Sequence, residues 1–269
     1  MKTDTDTEPC YISGICETAE GKLIISDKRN KNVKLLDHRY NVVSQCNMPA
    51  PVFAMNSVEP SLVAVAVDGR HCHEIHFIRE ISGQLKWGRK LTLQHLCIGI
   101  VHHHGSLYRT LGTALYQYTA DGEQLKKIYE DNSPRSVSSC AVSRDGARLY
   151  VTDQITNKLV TMSRDGTVIS TLTEPELDKV RYFEWASLLI EKSVHAFSVS
   201  CFVHVTEMGQ VLVCGRDYNS VLQVDRDGKQ ILSEVFTRLV DEPTSFYYSR
   251  NTGTLILGLL KFDSIYLLT

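Results

Sequence analysis

The stretch that decides the fold runs from Val137 to Leu172. It reads Val137-Ser138-Ser139-Cys140-Ala141-Val142, a turn at Arg144-Asp145-Gly146, Arg148-Leu149-Tyr150-Val151-Thr152-Asp153, and a polar loop from Gln154 to Lys158. Leu159 to Met162, a second turn at Arg164-Asp165-Gly166, and Thr167 to Leu172 complete it. Four short runs rich in β-branched and aromatic residues are thus divided by Asp-Gly and polar turns, the pattern of successive antiparallel hairpins. Helical periodicity is nearly absent.

The same grammar recurs on both sides. Downstream, Gln210 to Cys214, Ser220 to Val224, the turn Asp225-Arg226-Asp227-Gly228 and Gln230 to Leu232 repeat it; upstream, Gly21 to Asp27 leads through Asn30 and Asn32 into Val33 to Asp37 and Asn41 to Val43. Weaker copies fill the intervals: Leu62 to Val67 with Glu74 to Ile78, Ser106 to Thr110 with Ala114 to Tyr118, and Thr254 to Leu260 with Ser264 to Leu268. A glycine precedes the second strand at Gly21, Gly105, Gly146, Gly209 and Gly253, with Pro60-Ser61 standing in for the remaining one. The spacing from Gly21 to Gly146 gives a period of about 42 residues, the length of a propeller blade. A four-stranded sheet hides its faces only against neighbours, so six units close most economically into a ring, which also removes free sheet edges. The expected fold is therefore all-β: a six-bladed β-propeller with four antiparallel strands per blade, occupying residues 1–269 as one domain.

Two irregularities follow from the same count. Gly146 and Gly209 lie about twenty residues too far apart, an unusual length for a compact ring. The excess falls at about 173–198, either as a functional lid between blades 4 and 5 or as a segment foreign to the mature product, such as translated intron. The last unit also shows three strands, so its fourth is expected from the N-terminus, where Thr3, Thr5 and Thr7 alternate suitably.

Composition excludes several function classes. A formal charge of -2 gives no global attraction to nucleic acid or an anionic membrane. The apolar runs fall far short of the roughly 20 residues of a membrane helix. The acidic start of the chain, Met1 to Pro9, is unlike a secretory leader, so a cytoplasmic location is expected. Eight cysteines occur without a CxxC pair and mostly within apolar runs, so free buried thiols are expected and not a zinc site or disulfide framework.

The segment Val151-Thr152-Asp153-Gln154-Ile155-Thr156-Asn157-Lys158-Leu159-Val160, ending in Arg164-Asp165-Gly166, resembles the NHL repeat, with Asp153 and Asn157 at its signature polar positions; Asp27 with Asn32 and Asp217 with Asn219 match more loosely. The chain as a whole is similar to the NHL/TolB-like propeller at the C-terminus of tripartite-motif proteins, which carry RING, B-box and coiled-coil modules ahead of it. That resemblance implies recruitment of a protein partner or substrate, in a ubiquitin-ligase setting whose RING is not in this chain. Physically, Asp27, Asp153 and Asp217 are expected to cap backbone amides in their hairpin loops.

Loops joining strands two to three, and each blade to the next, emerge together on one face. That face is expected to gather Lys28, Arg29, Lys31, Arg70, Arg89, Lys90, Arg135, Arg216, Arg238 and Lys261, diluted by Asp131, Asp241 and Glu242, with Met48, Tyr218 and Phe262 as apolar contacts. A basic surface with interleaved aromatics suits an acidic peptide or, as the alternative, single-stranded RNA. A third alternative, a metal-dependent hydrolase or lyase, rests on ten histidines. The groups His71, His73, His76 and His102-His103-His104 are assigned to a blade 2 strand pair and a blade 3 turn, away from the innermost strands, where three or four metal ligands would have to converge. No nucleophile elbow or glycine-rich phosphate loop occurs. The expectation is thus a binding module that is not an enzyme and carries no cofactor or metal.

Overall fold

Each of the six units builds its own antiparallel sheet. The computed structural model describes residues 1–133, 135–153, 158–173, 202–206, 208–215, 220–236, 243–249, 251–260 and 262–268. Blade 1 comprises β1 (Ile12–Glu17), β2 (Leu23–Asp27), β3 (Asn32–Leu36) and β4 (Val42–Asn47); blade 2 comprises β5 (Val52–Glu59), β6 (Leu62–Gly69), β7 (Cys72–Ile81) and β8 (Gln84–Thr92). Blade 3 has β9 (Gly99–His103), β10 (Ser106–Thr110), β11 (Ala114–Thr119) and β12 (Gln124–Glu130); blade 4 has β13 (Ser139–Val142), β14 (Arg148–Asp153), β15 (Lys158–Ser163) and β16 (Val168–Leu172). Blade 5 has β17 (Val203–Val205), β18 (Val211–Gly215), β19 (Ser220–Val224) and β20 (Ile231–Phe236), and blade 6 has β21 (Pro243–Ser249), β22 (Thr254–Leu259) and β23 (Ile265–Leu268). No helix occurs among the described residues. The 173–198 insertion, Thr173 apart, lies outside them.

Both faces of the blades are covered, which is why their second strands are apolar at nearly every position instead of alternating. On β6, Val63, Val65 and Val67 pack with Ile24, Val33 and Leu35 of blade 1, while Ala64 and Ala66 on the opposite face pack with Ile100 and Leu107 of blade 3. Similar clusters join blades 3 to 4, 4 to 5 and 5 to 6, and one of Ile12, Ile15, Leu23, Ile25 and Leu36 with Ile256 joins blade 6 to blade 1. The last cluster closes the ring. Each fully buried Leu or Ile contributes roughly 1.5–3 kcal/mol, so no single interface dominates.

The hairpins entering the second strands need one residue in the left-handed region. Gly21, Gly105, Gly146, Gly209 and Gly253 supply it with φ between 67° and 81°, and in blade 2 Ser61 adopts φ 62° in the same place. A side chain there costs about 1–2 kcal/mol. At Ser61 the hydroxyl in return accepts from the Ala19 amide of blade 1 at 3.3 Å.

The expected fourth strand of blade 6 does not form. Residues 1–11 instead span the two blades: the Met1 ammonium and the Cys10 amide donate to the Asp263 carbonyl and Oδ1 of blade 6 at 3.0 and 3.1 Å, while over blade 1 the Thr3 hydroxyl donates to Gln45 Oε1 (3.0 Å) and Gln45 Nε2 donates to Thr5 Oγ1 (3.2 Å). The physical reason is the burial of Lys34. Its Nζ donates to Asp6 Oδ2 at 2.7 Å and Asp27 Oδ2 at 3.1 Å, with all three side chains fully buried. An ammonium in the interior needs paired carboxylates, and drawing Asp6 onto blade 1 provides one. Blade 6 therefore meets blade 1 by other means. The Thr244 and Ser245 hydroxyls donate to the Ile12 carbonyl at 2.7 and 2.8 Å, Tyr11 bridges Leu260, and Gly258 admits Ile12, whose side chain a Cβ at that position would meet at 2.6–2.7 Å.

Candidate functional site

The first strand of every blade pairs only with the second, so its other edge faces the axis. Together β1, β5, β9, β13, β17 and β21 enclose a central channel of about 980 Å³. That volume suits a small-molecule ligand or a peptide segment. Ser13, Phe53, Ser138 and Ser245 line its end on the face that carries the loops between second and third strands, hereafter the loop face. Glu17, Glu59, His102 and Asn251 line the other end, and His204 and Tyr247 lie between.

Two imidazoles belong to this wall. His102 stands in β9, and its backbone amide donates to Asn56 Oδ1 of blade 2 at 2.9 Å. Its Nε2 accepts from the Gly105 amide, and burial, then the neighbouring His103, holds its pKa below the ordinary value. The expectation that residues 102–104 form a turn is corrected: His102 and His103 end the innermost strand of blade 3. A strand as short as Gly99-Ile100-Val101-His102-His103 carries too little alternation to separate it from the following turn. His204 packs edge-on to Phe246 and against Tyr247, and enclosure pushes its pKa down to about 4, although part of its surface is reachable from the channel. Both rings are neutral near pH 7.

At the loop-face mouth, Lys28 extends from the β2–β3 loop until its Nζ lies 4.0 Å from the Phe53 ring centroid and 5.1 Å from that of Tyr11. Burial, then the charge of Arg135, lowers its pKa to about 8. The ring faces favour the ammonium, but desolvation prevails. Arg29 and Lys31 share this loop, Arg70 lies in the β6–β7 loop, Arg135 in the connection to blade 4, and Phe262, 42% exposed, between β22 and β23. Arg216, Tyr218, Arg238 and Lys261, with Asp241 and Glu242, lie outside the described residues. Arg89 and Lys90 are not on this face but in the outer strand β8. Arg89 covers Phe77 and pairs with Asp121 (2.6 Å), and Lys90 pairs with Glu74 (2.8 Å). Met48 is buried between blades 1 and 2 and offers no contact.

Asp27 caps the Asn30 amide as expected (3.3 Å), but also accepts from the Tyr11 amide and from Lys34, a residue whose interior role sequence reasoning missed. Asn157, Asp217 and Asn219 fall outside the described residues. Cys10, Cys16, Cys46, Cys97, Cys140 and Cys214 are buried free thiols. Among the described residues one group of three metal-type ligands converges, Asp6, Cys10 and Asp27. The Lys34 ammonium already contacts all three, at 3.7 Å from Cys10 Sγ.

The sequence matches no protein-family model and no curated protein. Solved structures share the fold. A catalytically inactive virginiamycin B lyase from Staphylococcus aureus, with quinupristin, superposes over 100% of this chain and 83% of its own (TM-score 0.64, 16% identity). A luciferin-regenerating enzyme covers 93% and 84% (0.62, 14%), and the β-propeller domain of Cps50 (Swd1) from Myceliophteria thermophila 96% and 83% (0.61, 12%). These likenesses show the propeller and do not extend to the NHL or tripartite-motif assignment. They also overturn the expectation that the chain is not an enzyme, since two of these neighbours are enzymes of the same architecture. The absence of a linear motif excluded nothing here, because a channel site is assembled from one short strand of each of six separate blades. The chain is a six-bladed β-propeller.

Proposed function

We propose that the chain is a binding module that holds an acidic segment of a partner protein against the loop-face mouth of its central channel. The supporting observation is a charge imbalance at that mouth. Among the described residues no carboxylate lies within ion-pair distance of Lys28, Arg29, Lys31 or Arg70, whereas Arg89 and Lys90 on the rim are each paired. Cations without a carboxylate partner keep their field for an incoming anion. Phe53 and Phe262 supply apolar contact beside them, and the likeness of Val151 to Val160 to the NHL repeat points towards recruitment as well.

Fluorescence-anisotropy titration with an acidic, aromatic-containing peptide and with a single-stranded RNA of equal charge tests the reading. Reversal of Lys28, Arg29 and Arg70 to Glu is expected to weaken peptide binding at least about tenfold, with a shallow salt dependence from the few charges involved. Unchanged binding by the reversed variant sinks the proposal. Tighter RNA binding whose logarithm falls steeply with salt reassigns the face to nucleic acid.

A further inference from the structure

Lys28 is held more tightly than a docking cation requires. Its backbone amide donates to the Tyr11 carbonyl at 2.8 Å, and Asp27 Oδ1 ties the same turn to the Tyr11 and Asn30 amides at 3.0 and 3.3 Å. The side chain is thereby aimed between the Tyr11 and Phe53 rings. Phe53 belongs to the channel wall, so the amine stands at the edge of the cavity. The charged group whose field reaches it is another cation, Arg135, and no carboxylate among the described residues lies within ion-pair distance. Burial and that field together leave about a tenth of the amine unprotonated at pH 7, against well under a thousandth for an ordinary lysine.

We propose that Lys28 captures carbonyl compounds: it condenses with the aldehyde or keto group of a small ligand that also carries a carboxylate or phosphate. The nitrogen lone pair adds to the carbonyl carbon, the C=O π pair passes to oxygen, and the lysine proton follows it. The resulting carbinolamine expels water as the C=N bond forms, so nothing is oxidised or reduced. The two aromatic rings offer faces for a conjugated carbonyl, and the neighbouring Arg135 favours an anionic substituent on it. A desolvated amine beside a second cation is a recognised way of activating lysine for this addition. The proposal does not rest on docking of an acidic partner protein.

The test treats the full chain with pyridoxal phosphate, or with pyridoxal lacking the phosphate, reduces with borohydride and maps labelled lysines by mass spectrometry across pH. Lys28 is expected to take label at least about tenfold faster than Lys31 near pH 7, with a rate that levels off near the amine's pKa of about 8 while exposed lysines continue to rise. Lys28→Arg, which keeps the charge and the ring contacts, abolishes that fast phase, and Arg135→Gln narrows the preference for the phosphorylated probe. Labelling that follows exposure, with Lys31 equal to or ahead of Lys28, overturns the proposal. So does a fast phase that survives Lys28→Arg.

Discussion

Replacing Lys34 by Met tests the account of the ring's charged clasp. Methionine fills most of the lysine stem but leaves the carboxylates of Asp6 and Asp27, whose ligand oxygens lie within 4.8 Å of each other, buried without their ammonium. Removing one partner from a buried ion pair costs about 3–5 kcal/mol, and here the residue removed is the one cation serving two anions. At roughly 2–4 °C per kcal/mol for a domain of this size, the melting temperature should fall by about 10 °C. Asp6→Asn should cost less, since Lys34 retains Asp27. The double variant should cost less than the sum of the two by about 1–3 kcal/mol, because the pair interact. The pH dependence gives a second signature. In the native protein burial works to raise Asp6, but hydrogen bonds from Lys34, the Thr3 amide and Asn32, with the Lys34 charge, outweigh it and hold Asp6 below the usual carboxylate range, while Asp6 and Asp27 outweigh burial to raise Lys34. Their stabilisation is therefore present between the unfolded carboxylate and amine values, and lost as pH falls through the lowered Asp6 value or rises through the raised Lys34 value. In Lys34→Met the Asp6 carboxylate loses the hydrogen bond and charge that chiefly oppose its burial, so the variant gains on the native protein as pH drops from 7 to 5. Thermal unfolding followed by circular dichroism at both pH values reads this out. A loss below about 1 kcal/mol, or a gap that does not narrow on acidification, would refute the reasoning.

Two further outcomes follow from the packing. Gly258→Ala drives a methyl group into Ile12 at the blade 6–blade 1 contact and should lower stability by about 1–3 kcal/mol, seen as a lower melting temperature with unchanged strand content. His204 is neutral when folded but protonated in the unfolded chain below about pH 6.5, so its contribution is full above that value and lost as pH falls towards 4. Native stability should therefore decline across this window, with roughly 2 kcal/mol of the slope removed by His204→Leu. Parallel pH profiles for the two proteins would contradict the assignment.

The ring was legible because turn chemistry repeats. Asp-Gly turns and pre-strand glycines mark the blades even where strand sequences diverge, and Ser61 shows that the conformation outlasts the glycine. What escaped was whatever depends on contacts between distant segments. Nothing in Val33-Lys34-Leu35 says that its lysine points inward; only Asp6 and Asp27, brought there by the fold, make that tolerable. The threonine alternation at residues 3–7 suggested a strand, but burial of one charge outweighed a few ladder hydrogen bonds. The same limit hid the site. Loop positions alone put Arg89 and Lys90 among the face cations, but β8 extends through Thr92 and makes them rim residues. His102 and His204 joined the channel wall through strands too short to show a period.

The location of the clasp in the chain bears on how the protein assembles during translation. Asp6, Cys10, Asp27, Asn32 and Lys34 all belong to the first blade and the segment leading into it, so their network can form soon after that blade leaves the ribosome, long before blade 6 is made. The carbonyl of Ile12 and the amide of Cys10 then wait on a rigid edge for Thr244, Ser245 and Asp263. The nascent chain thus finishes one half of its fastening early and leaves only a docking step for the moment when blade 6 is made.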